Sequence, residues 1–165
     1  MNTWRLTNPL RNLGTLTLRL TRQSSLQAKR RFVSNSSPSI MPGMTPILSE
    51  KAMPPVGPYS QAIKTSHAIY CSGQLPADAQ GNLVQGSMGE KTKACLNALS
   101  AVLTEAGSSL ERVVKVQIFL TDMKDFGEMN AEYEKIIRHK PARSCVAVKE
   151  LPKGVDVEIE CVALP

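Results

Sequence analysis

The sequence predicts an α+β domain, a mixed β-sheet with two helices packed on one face. Two stretches, Ser87 to Ala106 and Asp125 to Arg138, repeat apolar residues at three- and four-residue spacing, the period of a helix. Short runs of alternating or β-branched residues lie before, between and after them. At 165 residues the chain has material for one hydrophobic core but not comfortably for two.

Taken in order, Gln61 to Tyr70 is moderately apolar around Ser66-His67, which predicts a hairpin turning there. Its second strand runs into Ile69-Tyr70-Cys71-Ser72-Gly73-Gln74 and ends at a glycine. Pro76 to Gly86 is rich in turn formers. The first helix follows from Ser87 to Ala106, with Cys95, Ala98, Leu99, Val102, Leu103 and Ala106 on one stripe and Gly107 as its stop. A strand is expected from Leu110 to Leu120. Its phase sets Val114, Val116, Ile118 and Leu120 on one face, and Val113, Lys115, Gln117 and Phe119 on the other. The second helix spans Asp125 to Arg138, offering Phe126, Met129, Tyr133, Ile136 and Ile137 to the sheet, and Pro141 ends that region. Strands at Arg143–Val148 and Val155–Ala163 close the chain. The last alternates cleanly: Val155, Val157, Ile159, Cys161 and Ala163 inward; Asp156, Glu158 and Glu160 outward. The order is β-β-α-β-α-β-β, and the sheet face without helices is a candidate for burial between subunits.

The formal charge of +6 suggests nucleic acid until its distribution is seen. Residues 1–49 hold seven Lys/Arg and no acid; from Glu50 onward there are 13 Lys/Arg against 14 Asp/Glu, a net −1. The body is therefore nearly neutral, without a basic stripe or interleaved aromatics for a nucleic-acid backbone. The basic leader is rich in Arg, Ser, Thr and Leu, with Leu10, Leu13, Leu16 and Leu20 near helical spacing. That is the composition of a mitochondrial transit peptide; a basic arm that binds RNA or a partner is the alternative. Residues 1–41 are assigned to leader and linker and 42–165 to the folded domain. No apolar run is long enough for a secretory signal or a membrane span. Cys71, Cys95, Cys145 and Cys161 lack CxxC or Cys/His spacing, and His67 and His139 are the only histidines, so a metal site has little material. No phosphate-binding or dinucleotide glycine motif is present.

Four places are odd for a purely structural reading. Pro54-Pro55-Val56-Gly57-Pro58-Tyr59-Ser60 presents Tyr59 from a stiffened loop, though a turn with Tyr59 at a core edge fits equally. Ser72-Gly73 at a strand end lets a ligand approach the backbone, as a tight turn also would. Arg143, opening a strand after Pro141, has a planar fork suited to a carboxylate, with a surface ion pair as the plainer alternative. Cys145 shares its face by period two without a histidine to activate it. Glu158, on the polar face of the last strand, can hold a water or act as a base; a solvated edge is the ordinary alternative.

These places coincide with known signatures. Pro141-Ala142-Arg143-Ser144-Cys145-Val146, Leu151-Pro152 and Val157-Glu158-Ile159-Glu160 closely resemble the C-terminal signature of the RidA (formerly YjgF) proteins. Gly57-Pro58-Tyr59-Ser60-Gln61, Ser72-Gly73-Gln74, Val114-Lys115-Val116 and Phe119-Leu120 match that family in the same order, as do Asn130 and Tyr133 in the second helix. The resemblance covers roughly residues 46–165, and with the basic leader it is similar to the fungal mitochondrial branch. It implies a chorismate-mutase-like RidA fold and a homotrimer with a central barrel and clefts between neighbouring subunits. It implies no cofactor, no metal, no stable nucleic-acid partner, and no membrane association after import to the mitochondrial matrix. The implied reaction is hydrolysis of 2-iminobutanoate and 2-iminopropanoate to 2-oxo acids and ammonia, protecting pyridoxal-phosphate enzymes and supporting branched-chain amino-acid synthesis. By position, Arg143 would clamp the substrate carboxylate and Glu158 would hold the attacking water. Tyr59 and Ser72 would line the cleft, Gly73 and the Cys145 backbone would contact the ligand, and Asn130 and Tyr133 would lie nearby. Between Asn130 and Arg143 this chain is slightly shorter than the family pattern, which bears on substrate size. Rival readings are a non-catalytic metabolite-binding or chaperone-like trimer, and an RNase or translation inhibitor.

Overall fold

The last strand takes the centre of the sheet, and the rest of the chain is arranged about it. The computed structural model describes residues 42–165; the leader and linker expected over 1–41 lie outside the described residues. The strands are β1 (Thr45–Ile47), β2 (Ala62–Lys64), β3 (Ile69–Gln74), β4 (Val113–Leu120), β5 (Ala142–Ala147) and β6 (Val157–Ala163). They form one sheet in the order β1-β2-β3-β6-β4-β5. β4 and β5 pair in parallel, joined through helix α2 (Phe126–Ile136); every other neighbouring pair is antiparallel.

Helix α1 (Met88–Glu105) begins where a capping box satisfies its first amides. The Glu90 amide donates to Ser87 Oγ at 3.2 Å, and the Ser87 amide donates to the Glu90 carboxylate at 2.9 Å. Gly107, at φ +77°, follows the C-cap Ala106, a left-handed position that glycine holds without strain. Cys95, Leu96, Leu99, Val102 and Leu103 form its buried stripe. On α2, Met129 and Tyr133 are buried, as is Ile137 just past its end, while Phe126 and Ile136 pack at the margin. The Gly89 amide donates to Glu128 Oε1 at 2.9 Å and ties the start of α1 to α2. Against both helices lie Val116, Ile118, Leu120, Val157, Ile159, Cys161 and Ala163, all buried in one core. The opposite sheet face leaves Tyr70 and Val146 exposed.

Both helices, the hairpin at Ser66-His67 and the inward set of the last strand stand as the sequence predicts. Three details differ. β1 was not anticipated: it is three residues long, contains Pro46, and exists through pairing with β2 at the sheet edge, where a missing amide is tolerated. Leu110–Arg112 form a single 3-10 turn instead of the start of β4, and Met123–Asp125 form another ahead of α2. The phase of β4 changes at its first residues. Between the pairs Val113↔Ala163 and Lys115↔Val162 the register shifts, so Val114 is the extra residue of a bulge. Val113 is therefore 2% exposed and Val114 44%, the reverse of the expected faces.

Ile118 is buried on the central part of β4. Replacing it by Ala is expected to lower the stability of the domain by about 2–5 kcal/mol, read from the midpoint of urea unfolding at unchanged slope.

Candidate active site

The residues expected to carry function separate into two groups. The first surrounds Glu158. Opposite Cys161 and Ile159, β3 carries a bulge between Cys71 and Gln74, and Gly73 sits within it. A Cβ on Gly73 would lie 1.8 Å from Glu158 Oε1, 2.6 Å from Cδ and 2.9 Å from Cγ. The Glu158 side chain thus rests on bare β3 backbone, a placement only glycine permits. Ser72 turns inward to the preceding loop: its Oγ donates to Ser60 O at 2.7 Å and its amide to Gln61 O at 2.9 Å. Tyr59 is half-exposed, with its phenol oxygen accepting from the Val56 amide at 3.3 Å. Val56, Tyr59, Ser72, Gly73, Pro152 and Glu158 line a recess of about 220 Å³.

Glu158 has no ion-pair partner among the described residues. Partial burial raises its pKa above the ordinary glutamate value, and the Glu160 charge on the same strand face adds to the effect. Glu160 is in turn held by Gln117 Nε2, which donates to it from the paired residue of β4. The carboxyl of Glu158 therefore keeps a proton to higher pH than a free glutamate does.

The second group surrounds Arg143. This side chain lies on the helix face of β5, where its guanidinium carbon sits 4.7 Å from the centre of the Tyr133 ring and 5.8 Å from that of Phe126. Both rings belong to α2, seven residues apart and so on the same side. No acid pairs with Arg143 among the described residues, so the fork is oriented by aromatic faces while its N–H groups stay available. Asn130, Tyr133, Arg138, Lys140, Pro141 and Arg143 line a cavity of about 600 Å³. The Tyr133 hydroxyl is buried and has no hydrogen-bond partner among the described residues. Burial raises the Tyr133 pKa, with Arg143 opposing. His139 Nε2 lies 2.7 Å from Val113 O and pins the loop between α2 and β5 to the start of β4. Cys145 follows on the same face as Arg143; burial raises its thiol pKa, against the pull of Arg143, which keeps it protonated and a poor nucleophile.

One protomer does not bring these groups together. Arg143 shares a row with Val116 and Cys161, and Glu158 stands three residues further along β6. That is about 10 Å along the strands and two strand spacings, about 10 Å, across them. Their side chains also leave opposite faces of the sheet. So Arg143, Asn130, Tyr133 and Cys145 form one cluster, and Tyr59, Ser72, Gly73 and Glu158 another. Two further residues, Phe126 and Gln61, play parts that the sequence analysis does not assign them. Phe126 was read only as packing, although its seven-residue spacing from Tyr133 was visible. Gln61 is buried and holds the loop before Tyr59, accepting from the Ser49 amide at 2.6 Å and donating to Met53 O at 2.9 Å. Among the described residues no cluster of His, Cys, Asp and Glu forms a metal-binding group.

Comparison with known proteins shows what the chain is similar to. Residues 49–164 match the family described as Endoribonuclease L-PSP. Over 146 residues the chain is 50% identical to the mitochondrial protein mmf1 of Schizosaccharomyces pombe, covering 86% of each. It is 42% identical over 139 residues to the mitochondrial protein MMF1 of Saccharomyces cerevisiae, covering 82% of this chain and 96% of that one. The crystal structure of yeast Mmf1 superposes with a TM-score of 0.72 at 44% identity, over 73% of this chain and 98% of the other. That of E. coli TdcF with bound serine gives 0.70 at 30% identity, over 73% and 98%.

Gly73→Ala is expected to displace the Glu158 carboxylate and cost about 1 kcal/mol of stability, and most of that cost should vanish in a Glu158→Ala background. Chemical denaturation of the four proteins of the cycle measures the coupling; an unchanged cost in that background rules out the contact as its origin. The raised pKa of Glu158 has a consequence of definite sign. A carboxyl whose folded pKa exceeds its unfolded value contributes stability below the unfolded pKa and loses it as pH rises through the folded one. Glu158→Gln is therefore expected to gain stability over wild type as pH is raised from below about 4.3 towards neutrality, and unfolding midpoints across that range test it.

Proposed function

The chain belongs to the Endoribonuclease L-PSP family, which includes the yeast Mmf1 proteins, and from that premise we propose that it hydrolyses 2-imino acids to 2-oxo acids and ammonia. The observation that carries the reading is Arg143: a guanidinium fixed on two aromatic faces, without an acid partner, in a cavity able to take a small acid. Such a fork grips a carboxylate through two parallel N–H···O bonds. Serine bound to the E. coli relative supports a ligand with an α-carboxylate. We further propose that the two halves meet between copies of the chain in a homotrimer, Arg143 of one facing Glu158 of the next. The exposed Tyr70, Val114 and Val146 on the helix-free face support an assembly that covers them.

The chemistry asks little of the protein. A protonated imine is already electrophilic, so holding water against its carbon is the main requirement. Arg143 fixes the carboxylate, and Glu158 takes a proton from the water as its oxygen bonds to the imine carbon. The resulting carbinolamine has an amine that gains a proton, the C–N bond breaks, ammonia leaves, and the hydroxyl proton departs to give the 2-oxo acid. A carboxyl that holds its proton to raised pH is suited to both accepting and returning it. Tyr59, Ser72 and Gly73 shape the wall on the Glu158 side, and the Cys145 backbone, Asn130 and Tyr133 that on the Arg143 side. The substrates assigned are 2-iminobutanoate and 2-iminopropanoate. The place assigned is the mitochondrial matrix, in keeping with the relatives' names and the acid-free leader, and the role is protection of pyridoxal-phosphate enzymes there. A body of net charge −1 gives the ribonuclease of the family's description little to hold RNA with.

With threonine dehydratase generating 2-iminobutanoate and semicarbazide trapping it, wild type is expected to suppress the coloured adduct, and Arg143→Ala to lose about two orders of magnitude in kcat/KM. Adduct formation unaffected by wild type defeats the assignment for this imine. Co-expressing Arg143→Ala with Glu158→Ala tests the shared site. Each mixed trimer regains one intact site, at the junction that joins the intact Arg143 to an intact Glu158, so about a quarter of wild-type activity is expected from random mixing. No recovery in mixed trimers places both residues' action within one protomer or elsewhere.

A further inference from the structure

The cavity beside Arg143 is more positive than the single carboxylate of a four-carbon imino acid requires. Four cations line it, Lys135, Arg138, Lys140 and Arg143, against the single acid Glu134. Lys135 Nζ pairs with Glu132 at 2.7 Å, and Arg138 spends its Nε on Lys135 O at 3.0 Å although no acid pairs with it among the described residues. Lys140 differs. Its ammonium has no partner among the described residues.

The backbone of Lys140 is also unusual. Its φ is +56°, in the left-handed region, and the next residue is Pro141, whose ring further restricts the residue before it. Glycine or asparagine would hold this conformation at lower cost, so a lysine here keeps its long cationic side chain in spite of local strain. His139 anchors the same turn to β4, so the strained residue is presented from a fixed loop. An independent observation points to a ligand in the cavity. Tyr133 is 5% exposed and its hydroxyl is unpaired among the described residues, yet its side chain lines this space beside Arg143. A buried hydroxyl without a partner is costly, and an oxygen-rich ligand removes that cost.

We propose that this cavity admits the side chain of 2-imino acids carrying a second carboxylate, the imine forms of aspartate- and glutamate-like amino acids, with Lys140 as the specificity-determining cation. The proposal takes its chemistry from the imine-hydrolysis reading and adds the substrate class. With Arg143 on the α-carboxylate, Lys140 meets the distal one. The reaction balances as before: 2-iminoglutarate and water give 2-oxoglutarate and ammonia, the C=N bond being replaced by C=O. The supplying reaction is of the class that takes a hydride from the amine-bearing carbon of an acidic amino acid and a proton from its nitrogen, a two-electron oxidation of the amine to the imine. Lys140 stands three residues before the clamp Arg143.

The test uses the full chain and two stable 2-oxo acids, 2-oxoglutarate and 2-oxopentanoate, which differ by a distal carboxylate in place of a methyl group. Calorimetric titration at fixed ionic strength compares wild type, Lys140→Asn and Lys140→Arg; asparagine suits the left-handed backbone, so folding is preserved. Wild type is expected to bind 2-oxoglutarate about tenfold tighter than 2-oxopentanoate. Lys140→Asn should lose that advantage with 2-oxopentanoate unchanged, and Lys140→Arg should retain most of it. Equal affinity in wild type, or a Lys140→Asn loss shared by both acids, overturns the proposal. Turnover of the corresponding imines separates the two readings. Hydrolysis of neutral imines without a dicarboxylate preference sinks the Lys140 assignment alone. A dicarboxylate preference without hydrolysis of any imine upholds the Lys140 assignment and sinks catalysis.

Discussion

The strict alternation of β6 is the constraint on which the rest of the structure depends. Being central, with β3 on one side and β4 on the other, it cannot slip by one residue without turning its whole apolar set out of the core. Val157, Ile159, Cys161 and Ala163 fix that phase by their burial under α1 and α2. Glu158 and Glu160 are consequently fixed on the opposite face, whatever their own preferences. The same ladder sets Gln117 across from Glu160 and the β3 bulge beside Glu158. A carboxylate whose position follows from core packing needs no ion pair to hold it, so its charge and its proton remain free for chemistry.

Arg143 reaches a similar freedom by another route. An arginine is usually oriented by an acid, which also consumes its donors. Here Tyr133 and Phe126 orient the guanidinium through their faces, worth about 0.5–2 kcal/mol in partly desolvated settings. That is weaker than a good bidentate carboxylate contact, so an incoming acid competes with nothing for the N–H groups. The helix α2 thereby does two things at once. Met129, Tyr133 and Ile137 close the core, and the outer edge of the same stripe supplies the platform for Arg143.

Legibility in the sequence followed the strength of the local signal. The helices were readable because each carries a stripe repeated over several turns, with Ser87 and Gly107 marking the ends of the first. The faces of β6 were readable because seven residues alternate without exception. β1 was not, since three residues with a proline have no period to detect and only pairing with β2 makes them a strand. The exchange of Val113 and Val114 was hidden because a bulge shifts phase by one residue, and two adjacent valines give no hint of which faces in. The site showed the same pattern. Arg143, Glu158, Tyr59 and Ser72 stand in recognisable motif blocks, whereas the use of Phe126 and of the Gln61 side chain depends on which neighbours the fold brings to them. Strand order was equally out of reach, and it alone reveals that Arg143 and Glu158 leave opposite faces.

That separation has a physical logic. A guanidinium and a carboxylate side by side in one protomer would neutralise each other, and a substrate would have to break their pair before binding. Setting them on two faces of one sheet, with β4 between their strands, keeps each without the other as counter-charge within one chain. The protomer then carries two incomplete and mutually complementary half-sites. Closing a ring of such contacts completes one site at every junction and leaves no half-site unused, which an open or dimeric arrangement with the same contact cannot do. On this view the helix-free sheet face and the divided site are two aspects of one requirement. In the proposed trimer, the interface that covers Tyr70, Val114 and Val146 would also be what brings the Arg143 fork to the Glu158 carboxylate.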